Sequence, residues 1–341
     1  MAESRYVEDE FQRDTNYIED RITADGRDPT PGSSSRIWPV EPNRYRLVAA
    51  RACPWASRAI IVRRLLGLEE VISMGVCGPT HDARSWTFDL DPEGRDPVLG
   101  IERLQEAFLA RFPDYPKGIT VPAMVEVPTR QVVTNNFPAI TLDMSTQWTA
   151  FHRAGAPDLY PEALRAEIDE TNEWVYADVN NGVYRCGFAG RQESYERAYD
   201  RLFAALDRLE ERLSERRYLV GDQITEADVR LFTTLVRFDP VYHGHFKANR
   251  NKLVEMPALW GYARDLFQTP GFGDTVDFDQ IKVHYYVVHR DINPTQVVPK
   301  GPDLRGWLTP HGRDALGGRP FGDGTAPPPP QAEETVPPVG G

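Results

Sequence analysis

The residues best suited to chemistry begin with Cys53, in "RYRLVAARACPWASRAIIVRRLLGLEEVI". It stands directly before Pro54, between a short apolar strand pattern and a longer helical one. Proline fits a first helical position, so the thiol falls at the N-cap or in the first turn. There, unpaired backbone N–H groups and the helix dipole favour an anion and shift a thiol toward the nucleophilic thiolate. The ordinary alternative for a lone cysteine is a small buried apolar residue. A dithiol Cys-x-x-Cys cycle is excluded at this site, because the partner place holds Ala56. Any disulfide that Cys53 makes is therefore expected with an external thiol.

A second element is "ITVPAM", where Val121 and Pro122 suit a cis bond in a tight turn, with Val121 offering backbone groups to a thiol peptide. An ordinary edge-strand proline is the plainer reading. Three tyrosines, Tyr184 in "NNGVYRCGF", Tyr242 in "RFDPVYHGHF" and Tyr285 in "IKVHYYVVH", pair a flat apolar ring with a proton donor. Half-buried packing is the competing reading for each.

The elements that position these residues follow from periodicity. "RYRLVAA" reads as a strand, then a helix carries Ile60, Ile61, Leu65 and Leu66 on one face and ends at Gly67. "EEVISMGV" is a second strand. A Pro- and Gly-rich loop over 78–97 leads to a helix near 99–110, two short strands turning at Pro128 and Thr129, and a helix near 137–144. The order β-α-β-α-β-β-α makes a mixed sheet with helices. From about Tyr160 only helical spacing remains: Tyr195, Ala198, Leu202, Ala205, Leu206, Leu209 and Leu213 form an inward stripe. Thr225 and Asp228 read as a capping-box variant opening a buried helix over 225–237, and further helices fall at 258–268 and 278–288. The expected organisation is an extended segment over 1–43, an α/β domain over 44–150, an all-α domain over 151–290, a C-terminal extension over 291–318 and a disordered Pro-rich tail over 319–341.

Composition narrows the partners. A net charge of −12 over 341 residues argues against a nucleic-acid surface. No apolar run reaches the roughly 20 residues of a membrane span. The acidic, polar start lacks the pattern of a signal peptide, so a cytoplasmic protein is expected. Three scattered cysteines, Cys53, Cys77 and Cys186, give neither a disulfide framework nor metal-ligand spacing. No tightly bound cofactor is implied, since no phosphate-binding glycine loop appears. Lys supplies only five of the 39 basic residues, an arginine bias associated with GC-rich genomes.

Thioredoxin-like order, a cysteine at a helix start, a Val-Pro turn and an all-helical second domain with "TEAD" resemble a glutathione transferase. The segments "RYRLVAARACPWASR", "SWTFD", "TVPAMVE", "NNGVYRCGF", "TEADVRLFTTLVRFDPVYHGHFKANRNKL", "DQIKVHYY" and "INPTQVVPKGP" resemble glutathionyl-hydroquinone reductases, the Xi-class transferases, over roughly 21–302. The resemblance implies a thioredoxin-like N-terminal domain and an all-helical glutathione-transferase C-terminal domain. It also implies a reaction. The Cys53 thiolate attacks the thioether sulfur of a glutathionyl-hydroquinone, a mixed disulfide forms, hydroquinone leaves, and a second thiol resolves the disulfide. Tyr184, Tyr242 and Tyr285 would surround the aromatic ring and could protonate it, Trp86 would stand beside the glutathione, and the chain would form a homodimer.

Some positions depart from the family. The stretch equivalent to "TNNFPA" reads Ser-Asn-Glu-Ser-Ala-Glu there, and its first Glu and second Ser hold the γ-glutamyl end of glutathione. Here those places are Asn136 and Phe137, which supply no charge and no hydroxyl, followed by Pro138, which has no N–H. Gly118, with Lys117 adjacent, replaces an arginine before the Val-Pro turn, and Ser57 replaces a histidine after "CPWA". These changes make mycothiol, a sugar-containing thiol of GC-rich actinobacteria, an alternative thiol co-substrate to glutathione. Two other readings stand beside the reductase: a conjugating transferase that does not need Cys53, and a non-catalytic binder of aromatic ligands. Cys186, close in sequence to Tyr184, is a candidate resolving thiol.

Overall fold

The computed structural model describes residues 10–15, 17–28, 35–116 and 118–339. Residues 15–156 form one compact unit, and residues 157 onward form a second that also takes in the described residues before 15. The first unit is wider than the 44–150 expected, because β1 (Arg21–Thr23), which pairs in parallel with β2 (Ile37–Pro39), is tied to Asp143 of the same unit by the Arg21 guanidinium at 2.9 Å. Lys117 lies outside the described residues.

The main sheet has the strand order β4-β3-β5-β6. Its centre is β3 (Tyr45–Ala49), five residues buried on both faces. It runs parallel to β4 (Ile72–Val76) and antiparallel to β5 (Ala123–Glu126), which pairs antiparallel with β6 (Gln131–Thr134). The crossover is α1 (Pro54–Leu66), with Pro54 at its start and Gly67 at its end, where φ is 69° and the Gly67 N–H reaches the carbonyls of Arg63 and Arg64. A Cβ on Gly67 would also stand 2.6 Å from the Arg153 side chain, so both conformation and space require glycine there. With α2 (Leu104–Arg111) and α3 (Phe137–Thr146), the order is the thioredoxin-like β-α-β-α-β-β-α.

All thirteen residues of α1 are buried, Arg58, Arg63 and Arg64 included. Their charges are answered locally: Arg63 Nε donates to the Ile72 carbonyl at 2.6 Å, and Arg64 pairs with Glu69 at 3.1 Å. The long loop is pinned by Asp96, which is fully buried and meets Arg46 of β3 at 2.8 Å. Its other oxygen accepts the N–H groups of Val98 and Leu99 at 3.0 and 2.7 Å. That pinning holds residues 97–103 off the helix path, so α2 starts at Leu104 rather than near Leu99.

The helical unit is built on α4 (Arg165–Val175), α5 (Gly182–Gly187), α6 (Gln192–Glu215), α7 (Glu226–Leu235), α8 (Pro257–Gln268) and α9 (Phe278–Val288). On α6 the expected stripe is buried from Leu202 to Leu213, while Tyr195 and Ala198 are half-buried. Asp228 is the hub of this unit. Its carboxylate accepts the N–H groups of Leu219 and Thr225 at 2.9 and 2.8 Å, the Thr225 hydroxyl at 3.1 Å and the Tyr262 hydroxyl at 2.8 Å. Burial pushes this carboxyl upward and those donors oppose it.

The C-terminal extension is tied down by Arg313, buried to 5 % exposure, whose guanidinium donates to the carbonyls of Leu213 and Arg217 at 2.8 and 3.0 Å. Beyond it, the tail expected to be disordered keeps a defined start: the Arg319 N–H donates to Asp222 and the Ile224 N–H donates to Pro320. Backbone pairing of this kind leaves no apolar period in the sequence.

Because Asp228 gathers four donors in a site without solvent, Asp228→Ala strands them. The loss is about 3 kcal/mol of apparent stability, read as a lowered urea midpoint for the helical unit. A change under about 1 kcal/mol would contradict the hub assignment.

Candidate active site

Two chemical centres emerge, one in each unit. The first is the sulfur of Cys53. The chain leaves β3 at Ala49, turns with the Cys53 N–H donating to the Ala50 carbonyl at 3.0 Å, and enters α1 at Pro54, so Cys53 is its N-cap residue. Of the two places read from the sequence, N-cap or first turn, the thiol takes the N-cap. The sulfur lies 3.5 Å from the carbonyl oxygen of Val121, to which it donates as a thiol. The Val121–Pro122 bond is cis, so the expected turn is present and meets the thiol directly. Cys53 keeps 9 % exposure and Val121 5 %. The Ser57 hydroxyl and N–H both donate to the Cys53 carbonyl at 3.0 Å, so Ser57 braces the backbone beneath the sulfur.

Around this centre the sequence-derived residues divide. Asn136 is the N-cap of α3, half-buried, with its carbonyl accepting the N–H groups of Ala139 and Ile140. Phe137 is 3 % exposed and packs against Trp55 at 4.6 Å and Tyr17 at 5.5 Å, with the Arg58 guanidinium 5.5 Å from its ring. Phe137 thus serves the α1–α3 contact, and Pro138 beside it is half-buried. Trp86 is buried in the loop against His81, with ring centres 5.0 Å apart, and its carbonyl accepts the Leu104 N–H that opens α2.

The second centre is a chain of phenols. Tyr184 sits on α5, Tyr242 closes a π-helical turn (Phe238–Tyr242), and Tyr285 lies on α9. The Tyr285 hydroxyl lies 2.7 Å from that of Tyr184 and 3.0 Å from that of Tyr242. So the three tyrosines, separated by 101 residues of sequence, share one hydrogen-bonded line. Gly187 makes the close packing possible, since a Cβ there would stand 2.2 Å from the Phe246 ring, which stacks on Tyr242. Burial holds the phenols of Tyr242 and Tyr285 well above their usual range, so each keeps a proton to give.

Sequence reasoning missed two groups here. Phe11 stacks on Tyr184 at 5.9 Å, and the Arg13 guanidinium lies 4.6 Å over the same ring. The isolated aromatic and basic residues of "EFQRD" carry no periodic signal. Behind the phenols, His245 and His289 meet at 3.2 Å, and the His289 ring centre is 5.3 Å from that of Tyr285. The spacing of "GHF" and "YYVVH" reveals nothing of that pairing. Burial pushes the Cys186 thiol up to about 12, the opposite direction from an activated thiol. Among the described residues no cluster of side chains could hold a metal ion, and no helix is long and apolar enough to cross a membrane.

Residues 192–265 match the family model for the glutathione S-transferase C-terminal domain. The chain is 42 % identical over 309 residues to glutathionyl-hydroquinone reductase YqjG of Escherichia coli, covering 89 % of this chain and 92 % of that one. It is 42 % identical to glutathionyl-hydroquinone reductase PcpF of Sphingobium chlorophenolicum, covering 77 % of this chain and 84 % of that one. The chain belongs to the glutathionyl-hydroquinone reductases, the Xi-class glutathione transferases. This is a family of enzymes, and its fold is the one described above. A glutathione transferase structure from Gordonia bronchialis aligns at a TM-score of 0.91 and 72 % identity, covering 94 % of this chain and 98 % of that one. The glutathione-bound structure of YqjG aligns at 0.81 and 42 % identity, covering 87 % and 96 %.

The His245–His289 contact generates a pH prediction for this reductase. Burial, with Lys247 adding to it, pulls His245 down to about 4, below the roughly 6.5 of an exposed histidine. The fold therefore holds the neutral ring, and its stability is full above about pH 6.5 and lost as pH falls toward about 4. Between about pH 7.5 and about pH 5 the histidine removes about 2 kcal/mol. His245→Asn should flatten the pH dependence of the unfolding midpoint by that amount; an unchanged slope would contradict it.

Proposed function

We propose that this reductase cleaves the carbon–sulfur bond of glutathionyl-hydroquinones with Cys53 as nucleophile. The observation that carries the reading is the Cys53 sulfur at the N-cap of α1, in contact with the carbonyl of the cis Val121–Pro122 turn. As a thiolate the sulfur no longer donates to that carbonyl, and its charge is favoured by the N-terminal end of the α1 dipole. It attacks the thioether sulfur of the conjugate. The new bond is sulfur to sulfur, the aryl carbon–sulfur bond breaks, and its electron pair passes to the ring carbon. That carbon takes a proton from the tyrosine line, and hydroquinone leaves. A second thiol then resolves the mixed disulfide, releasing the thiol disulfide and the Cys53 thiolate. Atoms balance: one conjugate and one thiol give one hydroquinone and one disulfide.

The buried phenols suit the proton step because they remain protonated at neutral pH and are linked, so the proton lost by one is replaced along the line. Trp86, Val121 and the start of α3 at Asn136 would hold the thiol portion. Glutathione is the co-substrate we favour, since the YqjG structure holds it. Phe137 favours a second reading on one point: its ring is committed to Trp55 and Tyr17, so the place offers packing where the family offers a hydroxyl. Mycothiol remains the thiol to test against glutathione. We place the reaction in the cytoplasm, where small thiols stay reduced, and in a homodimer.

Cys53→Ser should lower hydroquinone release by about a thousandfold or more, whereas a conjugating transferase or an aromatic binder would not depend on this sulfur. Tyr285→Phe breaks the hydroxyl line and should lower kcat by about a hundredfold with KM little changed, read by chromatography of released hydroquinone. Turnover of matched glutathionyl and mycothiyl conjugates identifies the thiol. Equal or faster turnover with glutathione would remove the mycothiol reading.

A further inference from the structure

The three phenols differ little in burial. Tyr242 is 0 % exposed, Tyr285 1 % and Tyr184 8 %, so Tyr184 is the member nearest solvent. What stands against Tyr184 is a stretch from the start of the chain. The Phe11 ring lies 5.9 Å from it at an interplanar angle of 25°, a stacked arrangement, and meets Phe188 at 5.4 Å. The Arg13 guanidinium lies 4.6 Å over Tyr184 and donates through Nε to the Asn181 side chain at 2.8 Å. Glu10 pairs with Arg197 at 2.6 Å.

We infer that residues 10–13 are a strap over the tyrosine line, in which Phe11 holds the place of the substrate's aromatic ring and must leave before that ring can stack on Tyr184. This rests on the reading of Tyr184 as a substrate contact and adds an element that every incoming ring must displace. The fastenings suit release. The Glu10 and Arg197 side chains are 56 % and 61 % exposed, and exposed ion pairs hold weakly. Phe11 and Arg13 are only half-buried, with Gln12 exposed between them. A planar ring displacing Phe11 regains the stacking that Phe11 gives up, and a wider ring regains more of it. The strap is therefore a competitor of modest strength that weakens the apparent affinity of every ring by the same factor, the closed fraction setting its size.

Two measurements test it on the full chain. The first is steady-state turnover of S-glutathionyl-1,4-benzohydroquinone and S-glutathionyl-1,4-naphthohydroquinone by the unaltered protein and by Phe11→Ala. Removing the competing ring should lower KM by about fivefold, the worth of one aromatic contact, by the same factor on both conjugates and with kcat within about twofold. A raised or unchanged KM would overturn the strap, making Phe11 a fixed wall or a bystander. The second needs neither turnover nor a variant: hydrogen exchange of the 10–14 amides with and without 1,4-naphthohydroquinone. Displacement predicts faster exchange with the hydroquinone present, and slower or unchanged exchange overturns it. An unaltered protein that turns over neither conjugate would count against the proposed function, while the exchange result still decides the strap.

Discussion

A thiol at the head of a helix is useful only if the chain both delivers it there and leaves a polar backbone edge opposite. In this reductase those two conditions meet in one contact, the Cys53 sulfur 3.5 Å from the Val121 carbonyl. β3 delivers the cysteine, Pro54 fixes it as the N-cap, and the cis Val121–Pro122 turn at the entry to β5 supplies the edge. The sheet order β4-β3-β5-β6 makes β3 and β5 neighbours, so the two ends must face each other.

The tyrosine line rests on a different constraint. Hydroxyl groups buried to near-zero exposure need partners, and three tyrosines satisfy one another through Tyr285. That arrangement needs close approach of α5, the π-helical turn at Tyr242 and α9, which Gly187 permits. The polar remainder is absorbed nearby, in the paired rings of His245 and His289. The two centres are thus two satisfied polar systems, each held by backbone geometry that small residues or proline enforce.

Local signals showed much of this in advance. Pro54 and Gly67 bounded α1, Thr225 and Asp228 marked the start of α7, and short apolar segments between turn residues located β3 to β6, because each depends on neighbours in sequence. What stayed hidden depends on distant partners. The burial of Arg58, Arg63 and Arg64 in α1 is paid for by carbonyls, a carboxylate and aromatic faces that no periodicity shows. Phe11 and Arg13 act some 170 residues away from where they stand in the chain, and the His245–His289 pair closes across two elements. Phe137 stood out as a departure, yet its packing on Trp55 and Tyr17 became visible only in three dimensions.

The central claim is that the glutathionyl group passes onto one sulfur before it leaves the protein. Rapid mixing with a single equivalent of S-glutathionyl-1,4-benzohydroquinone, acid quench and intact-mass analysis tests this most directly. A glutathione adduct that maps to Cys53 and grows in step with hydroquinone release is the predicted result. Hydroquinone released without that adduct, or an adduct on Cys77 or Cys186 instead, would contradict it.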